Sequence, residues 1–179
     1  MFDKKLQLQD ALFIGFCATL LVALKSMLRL KLGLTGHSMF LMCFFYLVCY
    51  GGVGRCGAIT LCGVLAGVVA MILGVGKGGP LILAKFALPA VAMDITLMLL
   101  PSVMPLLWRF IALALAATLA WALKGFVGDL LVGLSVEVSL LKGAKSLFFG
   151  SLFAIAAALL VPSVLQRLKS HDLLHKDEV

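Results

Sequence analysis

The chain has 179 residues, of which 63% are hydrophobic and only 13% charged, with a mean hydropathy of +1.18. Soluble domains run at about 45–50% apolar and about 25% charged, so this composition excludes a water-soluble fold, which would lack the polar residues to cover its surface. The formal net charge of +7 does not indicate nucleic acid either: most basic residues sit at the ends of apolar runs, where they meet anionic headgroups, and no basic patch carries interleaved aromatics.

In chain order, the polar lead "MFDKKLQLQD" precedes an apolar run at roughly 11–29, "ALFIGFCATLLVALKSMLR". That run exceeds the h-region of a signal peptide and shows no clear cleavage site, so it is expected to be a retained first membrane helix. Its residues Ala11, Gly15, Thr19 and Ala23 recur every fourth position and keep to one slowly rotating face. In lipid, helices associate by close packing, which small residues permit. The stripe therefore packs either inside this chain or against another membrane subunit. Lys25 near the end of the run is expected to snorkel.

The loop "KLGLTGHSMF" leads into a second run at roughly 36–53. Thr35 or Ser38 can cap the following helix. His37 stands at the membrane boundary, either as a polar boundary residue or as a ligand contact and proton-sensitive group. The third run, roughly 56–75, carries no charge and contains Gly63 and Gly67, a packing motif expected to be satisfied internally.

Next comes "GVGKGGP" at 74–80, a lysine wrapped in glycines. A nucleotide loop needs G-x-x-x-x-G-K-[ST] between a strand and a helix. Here Met71 occupies the first glycine position and Gly78 follows Lys77, so no hydroxyl is available for magnesium. The stretch reads as a turn between membrane helices, with Pro80 suited to the first turn of the next helix. Lys77 either sits among headgroups or joins exposed amides at a binding-site mouth.

The fourth run, roughly 80–100, contains Lys85 and Asp94. Charges inside membrane segments are costly and by default indicate function or pairing. Nine residues apart is about 180° on a helix, so the two face opposite ways. Arg109, near the start of the fifth run at roughly 103–123, is in reach of Asp94 across a hairpin, and Lys85 can line a cavity with Lys77. The stretch 125–144 is apolar but interrupted by Asp129 and Glu137, and reads as an interfacial or re-entrant segment, or an extracytoplasmic cap, rather than a seventh helix. The last run is roughly 146–166. None of these runs alternates with period two, which rules out barrel strands.

The expected fold is thus an all-α integral membrane protein with about six transmembrane helices and an additional interfacial or re-entrant segment. Residues 1–170 form a single polytopic membrane domain, and 171–179 a polar tail expected in the cytoplasm. With both termini inside, the cytoplasmic side holds Lys4, Lys5, Arg55, Arg167, Lys169 and Lys176, against Arg29, Lys31, Lys77, Lys124, Lys142 and Lys145 opposite. Six against six leaves the positive-inside rule undecided, and the outward charge asks for a reason such as attraction of an anionic solute. The five cysteines lie in or beside apolar runs without a zinc-type spacing, and read as small buried hydrophobes. His171 and His175 have no further ligands, so no metal site is expected. No cofactor motif and no catalytic set are found, so an enzyme is not expected.

Taken together, the length, the helix count, the short polar N-terminus, the stripe and the glycine-rich loop resemble the substrate-binding (S) components of energy-coupling factor (ECF) transporters. Members of that family pack small residues of helix one against a coupling subunit. Ala11, Gly15, Thr19 and Ala23 match that stripe, with Gly15 and Thr19 where the family form prefers alanines. The resemblance implies a multi-pass subunit of the cell (inner) membrane that captures a small solute such as a vitamin, beside membrane lipids. It further implies a transmembrane coupling subunit with ATPase subunits as partners. Thr35, His37, Lys77, Lys85 and Asp94 are then the candidates for binding the solute. The cobalt and nickel members begin with a metal-binding histidine that this chain lacks, which argues against those substrates. A non-transport membrane scaffold is the alternative, and a membrane enzyme acting on lipids is disfavoured by the absence of paired carboxylates.

Overall fold

A computed structural model describes residues 7–31, 37–75, 81–101 and 104–170, and within these the chain is helical. Its elements are α1 (Leu8–Lys31), α2 (His37–Val53), α3 (Ala58–Ile72), α4 (Leu81–Leu99), α5 (Leu106–Leu131) and α6 (Val136–Ser170). Four of them, α1, α4, α5 and α6, are long and apolar enough to cross a membrane. The apolar helices α2 and α3 are shorter, with 17 and 15 residues. In lipid a backbone must satisfy its own hydrogen bonds, which is why uninterrupted apolar runs of this kind become helices.

The side-chain contacts fix how the helices run. Gly63 and Gly67 of α3 lie against Ala90 and Leu83 of α4, so these two are antiparallel. Met39 and Gly51 of α2 meet Gly150 and Leu165 of α6 in the same order, so those two are parallel. Lys25, late in α1, reaches Met42 of α2, Phe86 of α4 and Trp121 of α5. One end of the bundle therefore gathers the close of α1 and α5 with the start of α2, α4 and α6. The opposite end gathers the turn between α2 and α3, the close of α4 and the start of α5.

At the centre stands α2, buried almost all round, with Tyr46 and Met42 fully enclosed. Pro89 interrupts α4 and cannot donate to the carbonyl one turn back. The Tyr46 hydroxyl donates to the neighbouring Phe86 carbonyl at 2.9 Å, which ties the weakened turn to the core helix. Neighbours re-satisfying a proline-disturbed backbone is how membrane helices tolerate the residue.

One expectation is corrected here. Residues 125–144 form no separate interfacial or re-entrant element. They are the end of α5 and the beginning of α6, joined by a turn at Val132–Ser135 in which Gly133 has φ of 84°. An α6 of 35 residues is about 52 Å long, well beyond a hydrocarbon core of about 30 Å. Asp129 and Lys142 face each other across the α5–α6 hairpin at 3.9 Å. The tail 171–179 lies outside the described residues.

Candidate functional site

Lysines dominate one end of the bundle. Lys25 points from α1 toward the aromatic faces, its Nζ 4.1 Å from the Phe86 ring centroid and 5.8 Å from that of Trp121, and it donates to the Met42 sulfur at 3.3 Å. Lys124, one turn beyond Trp121 on α5, places its Nζ 4.5 Å from the same indole. Lys85 of α4 is half-buried and within electrostatic reach of Lys124. A ring face carries negative quadrupole charge, so cations stack on it favourably, most of all on Trp.

Beside Trp121 opens a cleft of about 270 Å³, lined by Ser38, Met39, Trp121, Lys142, Lys145, Ser146, Phe149 and Gly150. Ser38 and Met39 belong to the first turn of α2. The amides of a first turn lack intrahelical acceptors and carry the positive end of the helix dipole. Gly150 packs against Met39 and Thr118, which brings α6 close enough for its two lysines to share the cleft with α2. Two lysines, two serines and two aromatic residues thus line one opening.

The other end holds the buried carboxyl group. Asp94 is 7% exposed, and its Oδ2 accepts from the Thr60 amide at 2.8 Å and from the Thr60 hydroxyl at 2.5 Å. Its Oδ1 has no hydrogen-bond partner. The ion pair with Arg109 that the hairpin geometry allows is not made, and the buried Arg109 Nε is itself without a partner. A second cleft, of about 430 Å³, opens here between Arg55, Cys56, Thr60, Leu61, Asp94 and Met98.

Of the residues expected to bind solute, the structure does not bring all into one place. Thr35 and Lys77 lie outside the described residues, as does the His37 side chain, although His37 itself opens α2 at the lysine end. Lys85 belongs to the lysine end. Asp94 is nine residues further along α4, about 14 Å along the axis, and faces the other cleft. Among the described residues no group of three or more His, Cys, Asp or Glu is placed to hold a metal. Sequence reasoning did not single out Trp121, Lys142, Lys145 and Ser146, which line the cleft. Two lysines three apart just before an apolar run were the available signal, obscured by leaving 125–144 unplaced.

The stripe on α1 faces outward. Ala11, Thr19 and Ala23 are exposed, and nothing comes within 4 Å of where a Gly15 Cβ would be. The Thr19 hydroxyl is spent on its own helix, donating to the Gly15 and Phe16 carbonyls. Beside the small residues runs a second exposed row, Leu8, Leu12 and Phe16, while Ile14, Ala18, Leu21 and Val22 fill the core. The α1 surface thus offers a shallow trough with an apolar rim. No family model matches the chain, and no curated protein or solved structure matches it at a significant level.

Proposed function

We propose that this chain is the substrate-capture subunit of an ECF-type uptake transporter in the cell membrane. All six helices cross the bilayer in this reading. Both termini are cytoplasmic, and the lysine end faces outward. A small solute enters the cleft beside Trp121, and a separate coupling module driven by ATPase subunits reorients the loaded chain.

The observation that carries the reading is the contrast between the two small-residue stripes. Gly63 and Gly67 are consumed by α4, where an added Cβ at Gly63 would run into Ala90 and lie 3.0 Å from the Phe86 carbonyl oxygen. Ala11, Thr19 and Ala23 are exposed, and among the described residues nothing comes within 4 Å of where a Gly15 Cβ would be. Lipid tails adapt to any apolar surface, so a lipid-facing helix has no need of a small-residue trough. A second membrane protein does, because backbone approach is what drives helix association there.

Leucine at both Gly15 and Thr19 tests this. The double variant is expected to keep the wild-type melting temperature in detergent, since both positions open outward, and to lose a coupling subunit and its ATPases in mild-detergent purification from the native host. Wild-type protein that purifies alone under conditions preserving such complexes would defeat the proposal. A scaffold would share the stripe but not the cleft, so thermal stabilisation by a solute separates the two.

A further inference from the structure

We infer that the cleft between α2, α5 and α6 binds a small amphipathic anion, its carboxylate or phosphate head on Lys142 and Lys145 and its apolar body against Trp121 and Phe149. The inference rests on the solute-capture reading and names the class of solute.

Charge comes first. Lys142 and Lys145 line the cleft, and Lys25 and Lys124 stack on the indole that forms its wall. Asp129 stands 3.9 Å from Lys142, on the exposed hairpin rather than in the cleft wall. Lys142 and Lys145 are like charges lining one partly apolar opening, and an anion placed between them relieves their repulsion.

Geometry agrees. The first turn of α2, with Ser38 lining the cleft, supplies oriented amides of the kind that bind carboxylate or phosphate oxygens. Ser38 and Ser146 add hydroxyl donors. Trp121 and Phe149 leave the remainder of the wall apolar, which suits a ring or short hydrocarbon rather than a bare inorganic ion. At about 270 Å³ the opening is slightly below the usual range of small-ligand pockets, about 300–1,000 Å³, and takes a compact molecule. An anionic lipid headgroup presents the same chemistry from another source, so the experiment is arranged to tell them apart.

The probe is phenyl phosphate, titrated into protein in phosphatidylcholine nanodiscs with the emission of Trp121 as the readout. Trp108→Phe removes the other tryptophan, which is exposed at the far end of α5. A saturable change in emission is expected, with benzyl alcohol silent at the same concentrations. Lys142→Gln with Lys145→Gln should raise the midpoint at least tenfold, whereas Lys145→Arg should retain binding and so guard against simple misfolding. Absence of a saturable response, or a midpoint indifferent to the two lysines, overturns the inference. So does a silent phenyl phosphate titration combined with a lysine-dependent shift of Trp121 emission on adding phosphatidylglycerol to the discs, because the occupant is then a headgroup. If the coupling module still copurifies while phenyl phosphate fails, the solute class is wrong and the capture reading stands.

Discussion

Gly15 and Gly63 are the same residue in comparable apolar helices, and their surroundings give them opposite roles. At Gly63 the α4 backbone comes so close that a methyl group has no room. At Gly15 the space is open. Gly63→Ala is therefore expected to destabilise the fold by about 1–3 kcal/mol through overpacking, read as a lower melting temperature in detergent. Gly15→Ala should leave it unchanged or raise it slightly, since alanine is the better helix former. Equal effects at the two sites would mean that α1 is packed against something in the isolated protein. Asp94 shows a related dependence on context. As a charge-bearing residue in an apolar run it was expected to meet Arg109 or a solute; the Arg109 pair is not made, and Thr60 in the first turn of α3 supplies two hydrogen bonds to one oxygen. A threonine in an uncharged run gives no sign of that role until the two helices are laid side by side.

The element that most shapes the proposed site is the α5–α6 hairpin. Its two helices carry Trp121 and Lys124 on one arm and Lys142, Lys145, Ser146 and Phe149 on the other, so the turn sets the distance between cation and ring. Gly133 holds a φ of 84° there, a conformation that costs a residue with a Cβ about 1–2 kcal/mol. Gly133→Val is expected to loosen the hairpin and weaken phenyl phosphate binding several-fold without abolishing helical content, as circular dichroism would register. Unchanged affinity would show that the cleft is set by α2 packing alone. The Asp129–Lys142 contact is too exposed to hold the arms by itself, since such pairs contribute at most about 1 kcal/mol.

Across the whole molecule, the two ends differ in chemistry, and this makes orientation measurable. Cys17, Cys43, Cys49 and Cys62 are buried, whereas Cys56 is exposed in the turn between α2 and α3, at the end opposite the lysine cleft. Ser135 is exposed in the turn between α5 and α6. With the lysine end outward, a membrane-impermeant maleimide on intact cells should leave the wild-type chain unlabelled and react with Ser135→Cys. Permeabilised cells should label Cys56 as well. The reverse pattern would place the cleft on the cytoplasmic side and remove it as an entry point for an external solute.

Composition and uninterrupted hydrophobic runs determined by themselves that the chain is helical with segments apolar enough for a membrane, because a backbone in lipid has few other ways to bond itself. They also determined that "GVGKGGP" is no nucleotide loop, since the required glycine and hydroxyl positions hold Met71 and Gly78. The boundaries of α5 and α6 were not legible: Asp129 and Glu137 read as interruptions of membrane character, yet they lie at the adjoining ends of helices of 26 and 35 residues, longer than the about 20 residues a span requires. Nor could spacing reveal which stripe is filled and which is open, because four-residue periodicity specifies a face but not what stands opposite it. Only the tertiary arrangement decided that, as it decided the grouping of Ser38, Trp121, Lys142 and Lys145, which are drawn from three helices and become neighbours through the packing of Gly150 against Met39.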